Sequence, residues 1–205
     1  MNAMRTILCA SLLLLAGCVS VSRPVFPRHY ALIAPTITAR TGQAAAHGTL
    51  QLARIDVPPW LQGTQMYYRL DYRHDDRVAA YADSDWLAPP ARMLEPLIQA
   101  ALARDGGWRV VLGPGTSANA DAILHIRLDD FSQVFANPQQ SEGVLNATAT
   151  LVDARSGDAV AQKHFHVEAP ASSADAAGGA AALNRAHTEF IQRLRQWLLA
   201  VRPEH

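Results

Sequence analysis

His164 and His166 stand two residues apart, a spacing that puts both imidazoles on one face if the segment is a strand. Two such rings could begin a metal site. A site needs a third donor and usually a fourth, and no cysteine or cluster of carboxylates supplies one, so the pair reads as solvent-facing. Asp129-Asp130 and Asp83-Ser84-Asp85 bring carboxylates together, as acid–base chemistry requires, but both read as acids of turns and strand ends. Gly113-Pro114-Gly115-Thr116-Ser117-Ala118 has the form G-x-G-x-x-A. A phosphate cradle of that form opens a helix whose N-terminus meets the anion. Here a strand pattern resumes by Ala122 and Pro114 lacks a backbone donor, so a plain loop is expected. Neither G-x-S-x-G nor Gly-Lys-Ser/Thr occurs. A Ser-His-Asp triad assembled from distant residues stays open, yet nothing positive supports an enzyme, a cofactor or a metal.

The remaining chemistry belongs to a thiol. Arg5 precedes an apolar run from Ile7 to Ala16, broken by Cys9 and Ser11 and followed by Gly17-Cys18. That run has the length of a signal-peptide hydrophobic region and is too short to span a bilayer. Leu15-Ala16-Gly17-Cys18 resembles the lipobox of bacterial lipoproteins. The resemblance implies cleavage before Cys18 and acylation of that residue. Three acyl chains would make the anchor effectively permanent, since each buried methylene contributes about 0.8 kcal/mol. Val19 and Ser20 follow, with no Asp at the second mature position. By the same resemblance, this favours the periplasmic face of the outer membrane.

Removing residues 1–17 from 205 leaves 188, a plausible size for one domain. With 49% hydrophobic residues the chain can bury a core, and no second apolar stretch is long enough to cross a membrane. Lys+Arg and Asp+Glu number 18 each, so no global field recruits nucleic acid or anionic lipid. Cys18 is the only cysteine after processing, so no disulfide within the chain can support the fold. Residues 18–28 contain Pro24 and Pro27 and read as an extended tether with a reach of about 35 Å. Residues 29–203 form the expected single domain.

The elements of that domain follow from hydrophobic periodicity. His29–Ala34 is a first strand candidate. Leu50 and Leu52 share one phase and Ile55 and Val57 the other, which places a bulge near Ala53-Arg54. Pro58-Pro59 ends that strand. Alternation then marks Gln65–Arg73, a short strand Arg77–Tyr81, Ala122–Asp129, Leu145–Leu151 and Ala159–Glu168, with Trp108–Leu112 as a shorter candidate. Met93, Leu94, Leu97, Ile98, Ala101 and Leu102 form a helical stripe stopped by Gly106-Gly107. Pro96 should kink this helix or sit in its first turn. A linker from Pro170 to Ala180 leads to a C-terminal helix with Leu183, Ala186, Phe190, Ile191, Leu194, Trp197, Leu198 and Val201 on one face. The expected class is α+β, a mixed sheet of about five or six strands packed with a central and a C-terminal helix.

Trp60-Leu61, Met66-Tyr67-Tyr68, Tyr81 and Trp86-Leu87 crowd the middle of the chain. Core packing explains such a cluster. The sharper reading makes Trp60, Leu61, Tyr68 and Trp86 an apolar contact surface for lipid or a partner protein.

In order and spacing the chain resembles the ABC-type transport auxiliary lipoproteins. The matching residues are Leu15–Cys18, Tyr30-Ala31-Leu32, Ile55-Asp56-Val57-Pro58 with Leu61, then Tyr81, and Trp86 leading through Pro89 into the Leu94/Leu97/Leu102 helix. The Asp121–Phe131 strand and the amphipathic C-terminal helix complete the pattern. Met66-Tyr67-Tyr68 departs from it, standing where a more aliphatic strand is expected. The resemblance implies a fold similar to anticodon-binding and TolB N-terminal domains, no catalytic residues, and work with an MCE-type or other ABC transporter of lipid or another hydrophobic substrate. A homo-oligomer is compatible with this. The alternatives are a stand-alone envelope-assembly lipoprotein that binds protein or peptidoglycan and, more remotely, a periplasmic hydrolase.

Overall fold

The computed structural model describes residues 27–36, 47–74 and 77–201. The expected signal peptide, Cys18 and most of the expected tether lie outside this range. The strands are β1 (Arg28–Tyr30), β2 (His47–Leu52), β3 (Gln65–Leu70), β4 (Val78–Trp86), β5 (Trp108–Leu112), β6 (Ala122–Asn137), β7 (Gln140–Asp153) and β8 (Ala159–Pro170). The helices are α1 (Pro90–Asp105) and α2 (Ala176–Ala200). This is the expected α+β architecture with a mixed sheet and two helices, but the sheet has eight strands where about five or six are expected.

β6 organises the sheet. Its whole length pairs antiparallel with β7, and β7 pairs antiparallel with β8. The opposite edge of β6 is shared. β2 pairs parallel with its beginning and β3 parallel with its end. β5 then flanks β2, β4 flanks β3 and β1 lies outermost on β4. Between β2 and β3, the irregular stretch after β2 runs alongside β6. Leu52 faces Leu124 and Asp56 faces Arg127, so residues 52–56 hold one more residue than the strand beside them. That extra residue is the bulge expected from the phase change at Ala53-Arg54.

A second bulge lies in β6, where the register with β7 shifts between Leu128 and Asp130. Alternation in sequence breaks there, yet the strand continues to Asn137. Leu124, Ile126 and Leu128 lie buried before the bulge, and Phe131 is buried after it. Asp129-Asp130 is therefore an interior bulge and not a strand end. The Asp83-Ser84-Asp85 run likewise lies inside β4, which extends to Trp86 and not only to Tyr81. β1 is shorter than expected: it ends at Tyr30, and Ala31–Thr36 lie outside the sheet.

Both helices pack on the sheet through the expected stripes. α1 contributes Leu94, Ile98, Ala101 and Leu102, and α2 contributes Leu183, Ala186, Phe190, Ile191, Leu194 and Leu198. α1 runs through Pro96 and begins at Pro90, so the proline in the first turn is Pro90. It ends at Gly106, whose φ of 71° is left-handed and suits glycine. α2 starts at Ala176, within the stretch expected to be a linker. Small residues there are packing residues: Ala176, Ala180 and Ala182 are buried. Asp175 caps the helix by accepting from Gly178 N at 2.8 Å. Helix and sheet approach so closely at Gly143 that a Cβ on it would sit 2.6 Å from the Leu183 nitrogen.

Candidate functional site

The structure separates the residues that could have done chemistry. His164 Nδ1 lies 3.4 Å from Thr148 Oγ1, while His166 touches Asn146 Oδ1 at 2.5 Å and Glu168 Oε1 at 2.6 Å. The contacts to Thr148 and Asn146 cross from β8 to β7 and that to Glu168 runs along β8, all exposed on the sheet face away from the helices. Asp130 is buried and receives Arg69 Nη1 at 2.7 Å, whereas Asp129 is bound by Arg127 Nε at 2.7 Å. The two carboxylates thus serve different ion pairs. Among the described residues no group of three or more His, Cys, Asp or Glu is placed to hold a metal ion.

The Gly113–Ala118 segment is the loop joining β5 to β6, and Gln51 Nε2 donates to the Gly113 carbonyl at 2.6 Å. With Asp121 and Arg155 it borders an open, polar cleft of about 790 Å³. Asp121 accepts from Thr49 N at 2.7 Å and from Arg155 Nη2 at 3.4 Å. The backbone donor and then the guanidinium hold its carboxyl below the usual range. The ionised carboxylate thus ties the start of β6 to β2 through Thr49 and to the β7–β8 turn through Arg155.

The aromatic cluster divides because neighbouring residues of a strand point to opposite faces. Tyr67 meets Trp60 edge-on at 5.2 Å between ring centroids. Tyr68 packs on Tyr81 at 4.7 Å and on Phe135 at 6.0 Å. Leu61 and Trp86 are each only 1% exposed, and Trp86 packs on Phe131. Those two are core residues and leave the expected contact surface. Leu61 turns inward because the 3₁₀ turn Pro59–Leu61 folds it under the sheet, and Trp86 because β4 runs five residues beyond Tyr81. Trp60 and Tyr68 stay half-buried, on separate contacts.

Behind Tyr68 lies a short polar relay. Tyr81 Oη donates to Gln133 Oε1 at 2.8 Å, and Gln133 Nε2 donates to Ser141 Oγ at 2.7 Å. Burial, reinforced by Tyr68, pushes the Tyr81 hydroxyl up, so it stays a neutral donor. Gln133 lies on the helix-facing side, where an apolar residue is the usual choice, and the relay satisfies it.

Two surface features carry no strong sequence signal. Ile33 and Leu87 are 71% and 69% exposed, far more than Val78 and Val110, the next most exposed large apolar residues described. Both lie where β1 ends, since Leu87 N donates to the Tyr30 carbonyl. The segment around Ile33 is lashed to α2. Asn184 Oδ1 accepts from Ile33 N at 2.8 Å, and His187 Nε2 meets the Ile33 carbonyl at 3.0 Å. The second feature is a groove of about 300 Å³ between β3 and β4, lined by Tyr68, Leu70, Val78 and Ala79 with Arg73 and Arg77.

No curated protein matches the chain. Among solved structures it is similar to a protein from Xanthomonas campestris, with a TM-score of 0.74 and 23% identity over 83% of this chain and 94% of that one. A second, uncharacterised protein aligns with a TM-score of 0.64 and 17% identity, covering 84% and 99%. A Chlamydia trachomatis protein gives 0.51 and 7%, covering 76% and 99%. These likenesses show the fold. The sequence profile of the ABC-type transport auxiliary lipoprotein component matches residues 30–194, from the end of β1 into the last third of α2. That span takes in β2 to β8, α1 and all but the last turns of α2, and by it the chain belongs to the ABC-type transport auxiliary lipoprotein family.

Proposed function

We propose that this lipoprotein is a non-enzymatic docking component of an ABC or MCE-type system that moves lipid or another hydrophobic substrate. Cys18 is the acylated residue, and the anchor holds the domain at the periplasmic face of the outer membrane. Family membership carries the reading. The surface supports it: Ile33 and Leu87 offer apolar side chains well outside the core, with Trp60 as a half-buried aromatic. Interfaces concentrate their energy in such anchors.

The test is affinity purification of the acylated protein from membranes, with its partners identified. A permease, an ATPase or an MCE-domain protein among them supports the reading. Recovery with peptidoglycan or assembly factors alone would replace it with a stand-alone envelope role.

A further inference from the structure

The direction in which the chain enters the fold identifies the end that faces the membrane. β1 runs parallel to β4, with Arg28 opposite Ser84 and Tyr30 opposite Trp86. The direction of β1, read back from Tyr30 to Arg28, is along β4 towards Val78 and the β3–β4 turn. From Ser84 to Val78 is a rise of about 20 Å, at roughly 3.3 Å per residue. The residues between Cys18 and Arg28 reach about 35 Å at full extension. An anchor on Cys18 therefore holds the bilayer within about 35 Å of Arg28. The β3–β4 end projects more than half of that distance in the same direction.

That end has the chemistry of an interfacial surface. The groove floor is apolar, formed by Leu70, Val78, Ala79 and the ring of Tyr68, and Arg73 and Arg77 stand beside it. Val78 is 44% exposed. The Arg73 guanidinium lies 6.0 Å from the Tyr72 ring centroid, which gives the turn an aromatic body under a cation. Acids share the turn. Asp71 lies 3.9 Å from Arg69, and Asp75 and Asp76 adjoin Arg77 in sequence. The end is thus mixed in charge. Its attraction to a bilayer is local, guanidinium to phosphate with apolar side chains alongside, and not a long-range field.

We infer that the β3–β4 end, through the groove of Tyr68, Leu70 and Val78 and the guanidiniums of Arg73 and Arg77, rests on the phospholipid surface that holds the acyl anchor. The opposite end, with β5 and the Asp121–Arg155 cleft, then faces away from the membrane. The inference rests on acylation of Cys18.

Val78 and Val110 make a matched pair for the test, being 44% and 42% exposed on strands at opposite ends of the sheet. Val78→Cys and Val110→Cys are each introduced into the full acylated chain. Each is reconstituted into phosphatidylethanolamine/phosphatidylglycerol vesicles and labelled with a water-soluble maleimide. The expected result is labelling at least about fivefold slower at position 78 than at 110, with the difference abolished in detergent. Arg73→Glu/Arg77→Glu in the Val78→Cys background should bring labelling back towards the rate at 110. Equal rates in vesicles would overturn the inference, as would protection that survives detergent or ignores the arginine changes. Failure of the anchor itself is distinguishable: the protein would not float with vesicles, and the Cys18 thiol would take up label in the parent chain.

Discussion

His187 is fully buried in α2, and both ring nitrogens face carbonyl oxygens: Nε2 at 3.0 Å from Ile33 O and Nδ1 at 3.3 Å from Leu183 O. A neutral imidazole carries one N–H, and the shorter contact assigns it to Nε2, donating to Ile33. Protonation would give the second carbonyl a donor, but desolvation outweighs that gain and holds the folded pKa below the ordinary 6.5. The unfolded chain therefore takes up the proton first as pH falls. This contribution to stability is fully present above about pH 6.5 and is lost as pH falls from there towards the lower folded pKa. Denaturant midpoints between pH 7.5 and 5 should decline, and His187→Gln should flatten that decline. An unchanged slope in the variant would assign it to other groups. At the same scale, Cys18→Ser should release a folded domain into the soluble fraction. Persistence with outer membranes in high salt would refute the anchor at Cys18.

The elements depend on close approach as much as on apolar area. α2 crosses β7 at Gly143, where an added Cβ meets backbone that no rotamer change can move. Gly143→Val should therefore lower stability by about 1–3 kcal/mol, read as a shift in denaturant midpoint. Leu194 is fully buried on the same helix, so Leu194→Asp should cost several kcal/mol by burying a charge. Unchanged melting of either variant would mean that α2 is not packed as described. The α2 stripe and the strands were readable because each has an apolar period that matches its geometry. What escaped reading lies where that period breaks. The β6 bulge inverts the alternation at Asp129, so the second half of the longest strand carries polar Ser132 and Gln133 in fully buried positions. The first turns of α2 read as linker because alanine and glycine bury little area and show no stripe, although the Asp175 cap marks their start. The aromatic cluster misled for a related reason. Composition cannot reveal that Tyr67 and Tyr68 face opposite sides, or that Trp86 lies at the buried end of a longer strand.

At the scale of the whole molecule, the helices cover one face of the sheet while His164, His166 and Glu168 lie exposed on β8. If the domain docks a partner as proposed, it must do so through residues outside the core, and Ile33 and Leu87 are the most exposed large apolar side chains described. Ile33 is also held in place, its backbone tied to Asn184 and His187, so little ordering entropy opposes contact through it. Truncating an interface anchor commonly costs more than 1 kcal/mol, so Ile33→Ser/Leu87→Ser should weaken capture of transporter components about 30-fold or more. Melting temperature should stay within about 1 °C of the parent, because neither side chain contributes to the core and surface changes lie near zero in stability. Leu61→Ser is the contrasting variant. That side chain is buried, so stability should fall, with capture falling only in proportion to the folded fraction. Copurification and melting on the same preparations separate the two outcomes. Undiminished capture by a stable Ile33→Ser/Leu87→Ser protein would remove this surface from the docking function. The half-buried Trp60 would then be the next anchor to test, with its edge-on contact to Tyr67 predicting that Trp60→Ser costs stability as well as affinity.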